Sequence, residues 1–174
     1  MNSFAAVDSQ GFYYNGSYVP REISIVNDYL VFTALIDHSS FKASNQKEEK
    51  SNAYVSKYVH GLSNTSYNQG EITLNDLHCI LKSLAVNKSS QLNIFVCKNI
   101  PTANFLSSIG IKVINIEKKI TKKLMNDIIS KEKMMRNCKA HPLIPYYNCA
   151  AKIAKHLWMY TCTIKEPGFV FPIE

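Results

Sequence analysis

Residues 18–37 read YVPREISIVNDYLVFTALID, and this stretch decides the fold. Val19, Ile23, Ile25 and Val26 are apolar and β-branched, the side chains that fit a pleated surface. Leu30, Phe32, Ala34 and Ile36 then alternate with Val31, Thr33 and Leu35, the period-two pattern of a second strand. Upstream, Ser3 to Asp8 is a short apolar run that stops at Asp8-Ser9-Gln10-Gly11, and Asn15-Gly16 supplies a turn soon afterwards. A strand entering a hairpin, joined to the two that follow, predicts an antiparallel three-strand meander.

Beyond the meander the pattern changes from strand to helix and back. Residues 38–52 (HSSFKASNQKEEKSN) are polar and aperiodic, which predicts a long exposed loop, and a short turn is expected around His60-Gly61. Thr73 is an expected N-cap with Asp76 at the third helical position, and Leu74, Leu77, Ile80, Leu81 and Leu84 share one helical face. Residues 92–97 (LNIFVC) read as a strand, Pro101 opens a helix that stops at Gly110, and residues 112–117 (KVINIE) alternate as another strand. A helix over 121–136 places Leu124, Met125, Ile128 and Ile129 inward, and after the proline-rich HPLIPYY a last helix covers 148–160, leaving a tail over 163–174. Later strands joined by helical crossovers run parallel, so the expectation is a single α/β domain over 1–174.

Composition narrows the function classes. The chain has 174 residues, 46% hydrophobic and 19% charged, inside the globular range and outside the disordered, collagenous and coiled-coil ranges. No apolar run reaches the eighteen or so residues of a membrane span, and MNSFAAVDSQ lacks the pattern of a signal peptide, so a cytoplasmic address is expected, with a nuclear one the alternative. Five cysteines, Cys79, Cys97, Cys138, Cys149 and Cys162, make an odd number, which favours free thiols or metal ligands over a disulfide framework. The formal net charge is +7, and it is concentrated: Lys118, Lys119, Lys122, Lys123, Lys131, Lys133, Arg136 and Lys139 lie among only two acids, Asp127 and Glu132. One reading is a solvated helix face; the other is a surface that neutralises phosphates in a salt-dependent way.

The order of elements resembles the ribonuclease H-like fold. In that fold, metal-dependent exonucleases of the DEDD class hold two divalent ions with four carboxylates, beginning with Asp-x-Glu on the first strand. Here Asp8 is in place, but Gln10 occupies the second acidic position. The second motif should fall near CKNIPTANF (97–105) and the third near Tyr146-Tyr147-Asn148-Cys149, and neither stretch contains an acid. The resemblance therefore implies a dismantled two-ion site. The alternative keeps Asp8 and Glu22 as the carboxylates of a Mg2+- or Mn2+-dependent nuclease.

Another constellation stands in its place. Cys138, His141 and Cys149 form C-x2-H-x7-C, three good zinc ligands within twelve residues. The competing account is three unrelated residues. In the ribonuclease H-like fold the second strand runs close to the start of the terminal helix, which implies Glu22 as fourth ligand, with a strand-end ion pair to Arg21 or a lysine as the other account. His60 or Asp8 could substitute. Asp76 is better explained as a helix cap, Asp127 sits among lysines, and His78 and Cys79 point about 100° apart on a helix. Cys97 reads as core, and Cys162 lies past the expected last helix.

Glu22, Cys138, His141 and Cys149 resemble the Glu-Cys-His-Cys zinc signature of the Maelstrom domain, a ribonuclease H-like domain of animal germline small-RNA (piRNA) silencing. His60-Gly61-Leu62 and Asn148-Cys149-Ala150 extend the likeness in order along residues 18–160. There is no accompanying HMG box and the chain is short, which points to a divergent relative, of insect or insect-virus type. The resemblance implies a structural Zn2+ and a catalytically degenerate module that binds single-stranded RNA or other nucleic acid, or a protein partner; the alternative is an active nuclease. Ten tyrosines, recurring at Tyr13-Tyr14, Tyr54, Tyr58, Tyr67 and Tyr146-Tyr147, could stack on unpaired bases or serve as half-buried packing residues.

Overall fold

The computed structural model describes residues 4–63, 69–86, 94–117, 120 and 149–164. It is an α/β fold with a mixed five-stranded sheet and, among the described residues, four α-helices. The strands are β1 (Phe4–Tyr14), β2 (Ser17–Val26), β3 (Val31–Leu35), β4 (Ile94–Cys97) and β5 (Val113–Asn115), in the order β3-β2-β1-β4-β5. β1, β2 and β3 form the antiparallel meander expected, and β4 and β5 add in parallel to β1 and to each other. The helices are α1 (Gln46–Val55), continued by a π-helical turn (Ser56–His60), then α2 (Leu74–Ala85), α3 (Ile100–Ser108) and α4 (Ala150–Ile164).

Alternation along the strands sorts the core into two faces. Ala5, Val7, Ile23, Ile25, Phe95 and Cys97 meet Leu77 and Leu81 of α2 and Phe105 and Leu106 of α3. Ala6, Val26 and Val96 point the other way and meet Ile153, Ala154, Leu157 and Trp158 of α4. The end of the hairpin carries its own cluster, Phe12, Tyr14, Val19 and Leu62. The hairpin turns on Asn15 (φ 52°) and Gly16 (φ 74°), two successive left-handed residues that match the twist of the paired strands. α2 starts in the expected capping box of Thr73 and Asp76, and Cys97 is fully buried. No helix among the described residues is long and apolar enough to cross a membrane.

Three expectations need correction and one, the turn at His60-Gly61, is refined. β1 does not end at Asp8 but runs to Tyr14, its register with β2 shifting between Gln10 and Gly11 where Arg21 is the extra residue of a bulge. The turn at His60-Gly61 is a π-helical turn closed by Gly61 at φ 68°. The last helix covers 150–164, so Cys162 lies within it, exposed, and the segment after it begins later than 163. The stretch 38–52 is not a loop throughout, because α1 begins at Gln46.

α1 escapes a search for apolar periodicity because its inward face is polar. Asn45 caps it by accepting from the Glu48 amide at 3.0 Å. Glu48 then accepts from the backbone amides of Asn15 and Gly16 at 3.1 and 2.8 Å, holding the hairpin turn. Asn52 accepts from the Tyr13 amide at 3.1 Å and donates to the Tyr13 carbonyl at 2.8 Å, standing in for one rung of a neighbouring strand. The helix thus covers a sheet edge by hydrogen bonding, and its inward side carries a single apolar residue, Val55, too few for an apolar period. The expected helix over 121–136 and the proline-rich stretch lie outside the described residues.

Candidate functional site

β4 pairs with β1 only over Phe4–Ala6, and after Cys97 the chain turns away into α3. From Asp8 onward β1 therefore has no strand beside it on that flank among the described residues. A cleft of about 250 Å³ opens along this bare edge. Asp8, Gln10 and Gly11 of β1 line it, with Lys98 and Asn99 from the end of β4, Tyr13 and Tyr18 from the hairpin and His60 from the π-helical turn. Gly11 is required there, since a Cβ would lie 2.2 Å from the Val19 carbonyl oxygen.

Asp8 is fully buried at the base of the cleft. Its Oδ2 accepts from Gln10 Nε2 at 2.8 Å and its Oδ1 from Asn99 Nδ2 at 2.7 Å. The orientation of Asn99 is set by its second role: its Oδ1 accepts from the Thr102 amide at 2.7 Å as the N-cap of α3, so only the NH2 group is left to face Asp8. Burial pushes the Asp8 carboxyl up to about 8; Gln10, Lys98 and Asn99 pull the other way, while Glu22 adds to the rise. Both oxygens of this carboxyl thus face N–H donors, which compete with any cation for the same lone pairs.

Glu22 sits on the same face of the sheet, opposite Gln10 in the register of β1 and β2, and is also fully buried. Its Oε2 accepts from the Ala150 amide in the first turn of α4 at 2.9 Å, and its Oε1 accepts from the Cys149 thiol at 3.9 Å. A carboxylate at a helix N-terminus gains from the partial positive charge of the unpaired amides there. Two of the four expected zinc ligands, one from an early strand and one 127 residues later, therefore touch. Oxygen and sulfur held by one tetrahedral zinc at about 2.0 and 2.3 Å stand about 3.5 Å apart, close to the separation seen between Glu22 and Cys149. Cys138 and His141, the other two, lie outside the described residues, as do Lys118, Lys119, Lys122, Lys123, Lys131, Lys133, Arg136 and Lys139. No three histidine, cysteine or acidic side chains converge on a metal position among the described residues.

The other acids and imidazoles divide between cap, surface and core. Asp76 accepts from the Thr73 amide and hydroxyl, and Asp37 from the Ser39 amide. His60 Nδ1 accepts from the Leu62 amide at 3.1 Å, which leaves Nε2 to donate to the Gly11 carbonyl at 3.2 Å. As a ligand substitute it would have to give up a backbone partner. His38, which sequence reading passed over, is buried with its Nε2 against the Pro20 carbonyl at 2.8 Å and its Nδ1 against the Tyr14 hydroxyl at 3.1 Å; burial pushes its pKa down to about 4. Asn99 and Lys98 were also missed as site residues. The readable signal was the N-cap pattern Asn99-Ile100-Pro101, which puts a side chain with a spare amide at the end of a strand.

No known protein family matches the chain, and no curated protein matches it.

Proposed function

We propose that this chain is a catalytically degenerate ribonuclease H-like domain of Maelstrom type, stabilised by a structural Zn2+, that acts in the cytoplasm as a single-stranded RNA-binding or interaction module of small-RNA silencing. The observation that carries this reading is how the two buried carboxylates are used. Asp8 is enclosed by the amides of Gln10 and Asn99, and Glu22 is committed to the first turn of α4 and to Cys149. A two-ion site needs further carboxylates converging with Asp8, and at the positions facing Asp8 this chain carries the carboxamides of Gln10 and Asn99. The sheet order β3-β2-β1-β4-β5, with β2 alone running against the rest, supports the fold assignment. β3 is antiparallel to β2 and hence parallel to β1.

The donor set fits zinc. Glu22 and Cys149 would hold it together with Cys138 and His141, and the ion would tie β2 to α4. Four protein ligands leave no coordination position for water, so its contribution is to stability rather than hydrolysis. Purified protein is expected to carry about one equivalent of zinc per chain by mass spectrometry. Less than half an equivalent removes the zinc.

A nuclease is the second reading, favoured by the position of Asp8 at the base of an open cleft with Glu22 on the same face. Labelled single-stranded RNA incubated with the protein in Mg2+, Mn2+ or EDTA separates the two. The expected outcome is intact RNA in all three. Metal-dependent cleavage that disappears in Asp8→Ala or Glu22→Ala would reverse the ranking.

A further inference from the structure

The two sides of α1 and its π-helical continuation have opposite characters. Glu48, Asn52, Val55 and Val59 follow one another at spacings of three and four and face the hairpin and the cleft. Lys47, Lys50, Tyr54, Lys57 and Tyr58 follow the same spacings on the other side, and every one of them is exposed. Tyr54 and Tyr58 are each 60% exposed, far more than packing residues need. Their rings lie 5.2 Å apart, and the Lys57 ammonium sits 5.0 Å from the centre of the Tyr58 ring. Of the two acids in α1, Glu48 is bound to Ser44 and the hairpin turn, and Glu49 falls on the far side of the helix from the stripe.

We infer that this outward stripe is a binding face for single-stranded RNA, with Tyr54 and Tyr58 stacking on unpaired bases and Lys47, Lys50 and Lys57 neutralising the neighbouring phosphates. The inference rests on the RNA-binding reading above and moves its contact surface to a part of the molecule that the basic run over 118–139 does not include. The alternation of ring and cation is what selects the ligand. A flat aromatic pair alone would suit many partners, but Lys50 and Lys57 on either side of Tyr54, with Lys57 also against Tyr58 and no acid between, match a polyanion that presents bases at intervals along its backbone. The stripe is also rigid. Glu48 and Asn52 bond the other side of α1 to the backbone of the hairpin, so the helix that carries the rings is fixed before any ligand arrives.

The experiment is fluorescence anisotropy of the full chain with a labelled twelve-nucleotide oligouridine, at several salt concentrations, with circular dichroism confirming that each variant is folded. The double variant Tyr54→Ala/Tyr58→Ala is expected to weaken binding at least about tenfold, and Tyr54→Phe/Tyr58→Phe to retain it, because stacking needs the ring and not the hydroxyl. The triple variant Lys47→Gln/Lys50→Gln/Lys57→Gln is expected to flatten the slope of log affinity against log salt by about 2, at about 0.7 for each single-strand phosphate that is no longer neutralised. Wild-type binding with no change in these variants overturns the stripe and leaves the RNA reading standing. No binding by the wild type overturns both. Self-association that depends on Tyr54 and Tyr58 and competes with the oligonucleotide would make the face an interface between copies and overturn the inference as well.

Discussion

Above pH 6.5 the folded chain is expected to lose stability as pH rises, and Asp8→Asn to abolish that loss. An Asp carboxyl in the unfolded chain gives up its proton near the ordinary 3.8, whereas in the folded chain burial pushes Asp8 up to about 8. Between those values the native state holds a proton that the unfolded state has released, so stability is present in full below 3.8 and is lost as pH climbs towards 8. Each pH unit in the window costs about 1.4 kcal/mol. His38 works in the opposite sense. Its folded value is pushed down from 6.5 to about 4, so its contribution is present above 6.5 and is lost as pH falls through 4. The two slopes oppose each other between about pH 4 and 6.5, and from 6.5 to 8 Asp8 sets the slope among the described residues. Over that interval the wild type should lose about 2 kcal/mol, or about 6 °C in melting temperature for a chain of this length. Asn at position 8 keeps an oxygen for the Asn99 amide and turns its NH2 to Gln10, whose amide is free to rotate and accept. Urea denaturation of both proteins at pH 6.5, 7.2 and 8 reads the difference. Parallel curves for the two would show that Asp8 is not held in a protonated, desolvated state.

Glu22→Ala is the substitution expected to damage the fold most. The side chain is fully buried and reaches the first turn of α4 from the middle of the sheet. Truncation leaves the Ala150 amide buried without this acceptor, which costs about 1–3 kcal/mol, and removes both the charge at the helix N-terminus and the volume of the side chain. Together these are worth about 3–4 kcal/mol, or about 10 °C in melting temperature. Glu22→Gln keeps an oxygen for the amide and should cost about 1 kcal/mol in the metal-free protein. That contrast also isolates the zinc. A chelator should lower the melting temperature of the zinc-loaded wild type and leave Glu22→Gln unchanged, because an amide oxygen is a poor replacement for a carboxylate ligand. A Glu22→Ala chain within about 0.5 kcal/mol of wild type would mean that β2 and α4 do not depend on this contact.

The meander, the capping box at Thr73 and the helix after Asn99 were legible because each is written in local chemistry: alternation, a paired hydroxyl and acid, a proline at the first helical turn. Glu22 and Cys149 were brought together by the ribonuclease H-like resemblance, in which the second strand runs close to the start of the terminal helix, and not by any local signal. α1 was not legible. Its inward face is Glu48, Asn52 and the lone apolar Val55, and the partners of the first two, Asn15, Gly16 and Tyr13, are more than thirty residues away. Nor did the sequence mark Asn99 as a partner of Asp8, 91 positions earlier.

The order of the five strands and of α2, α3 and α4, the α/β class and the net positive charge follow from the sequence by itself, because periodicity, turn chemistry and composition act over a few residues or over the whole chain. Which polar side chains meet was decided by the tertiary structure alone. A hydrogen bond between distant residues leaves no periodic trace, and its partners are chosen by where the bulge in the hairpin, the end of β4 and the first turn of α4 place them.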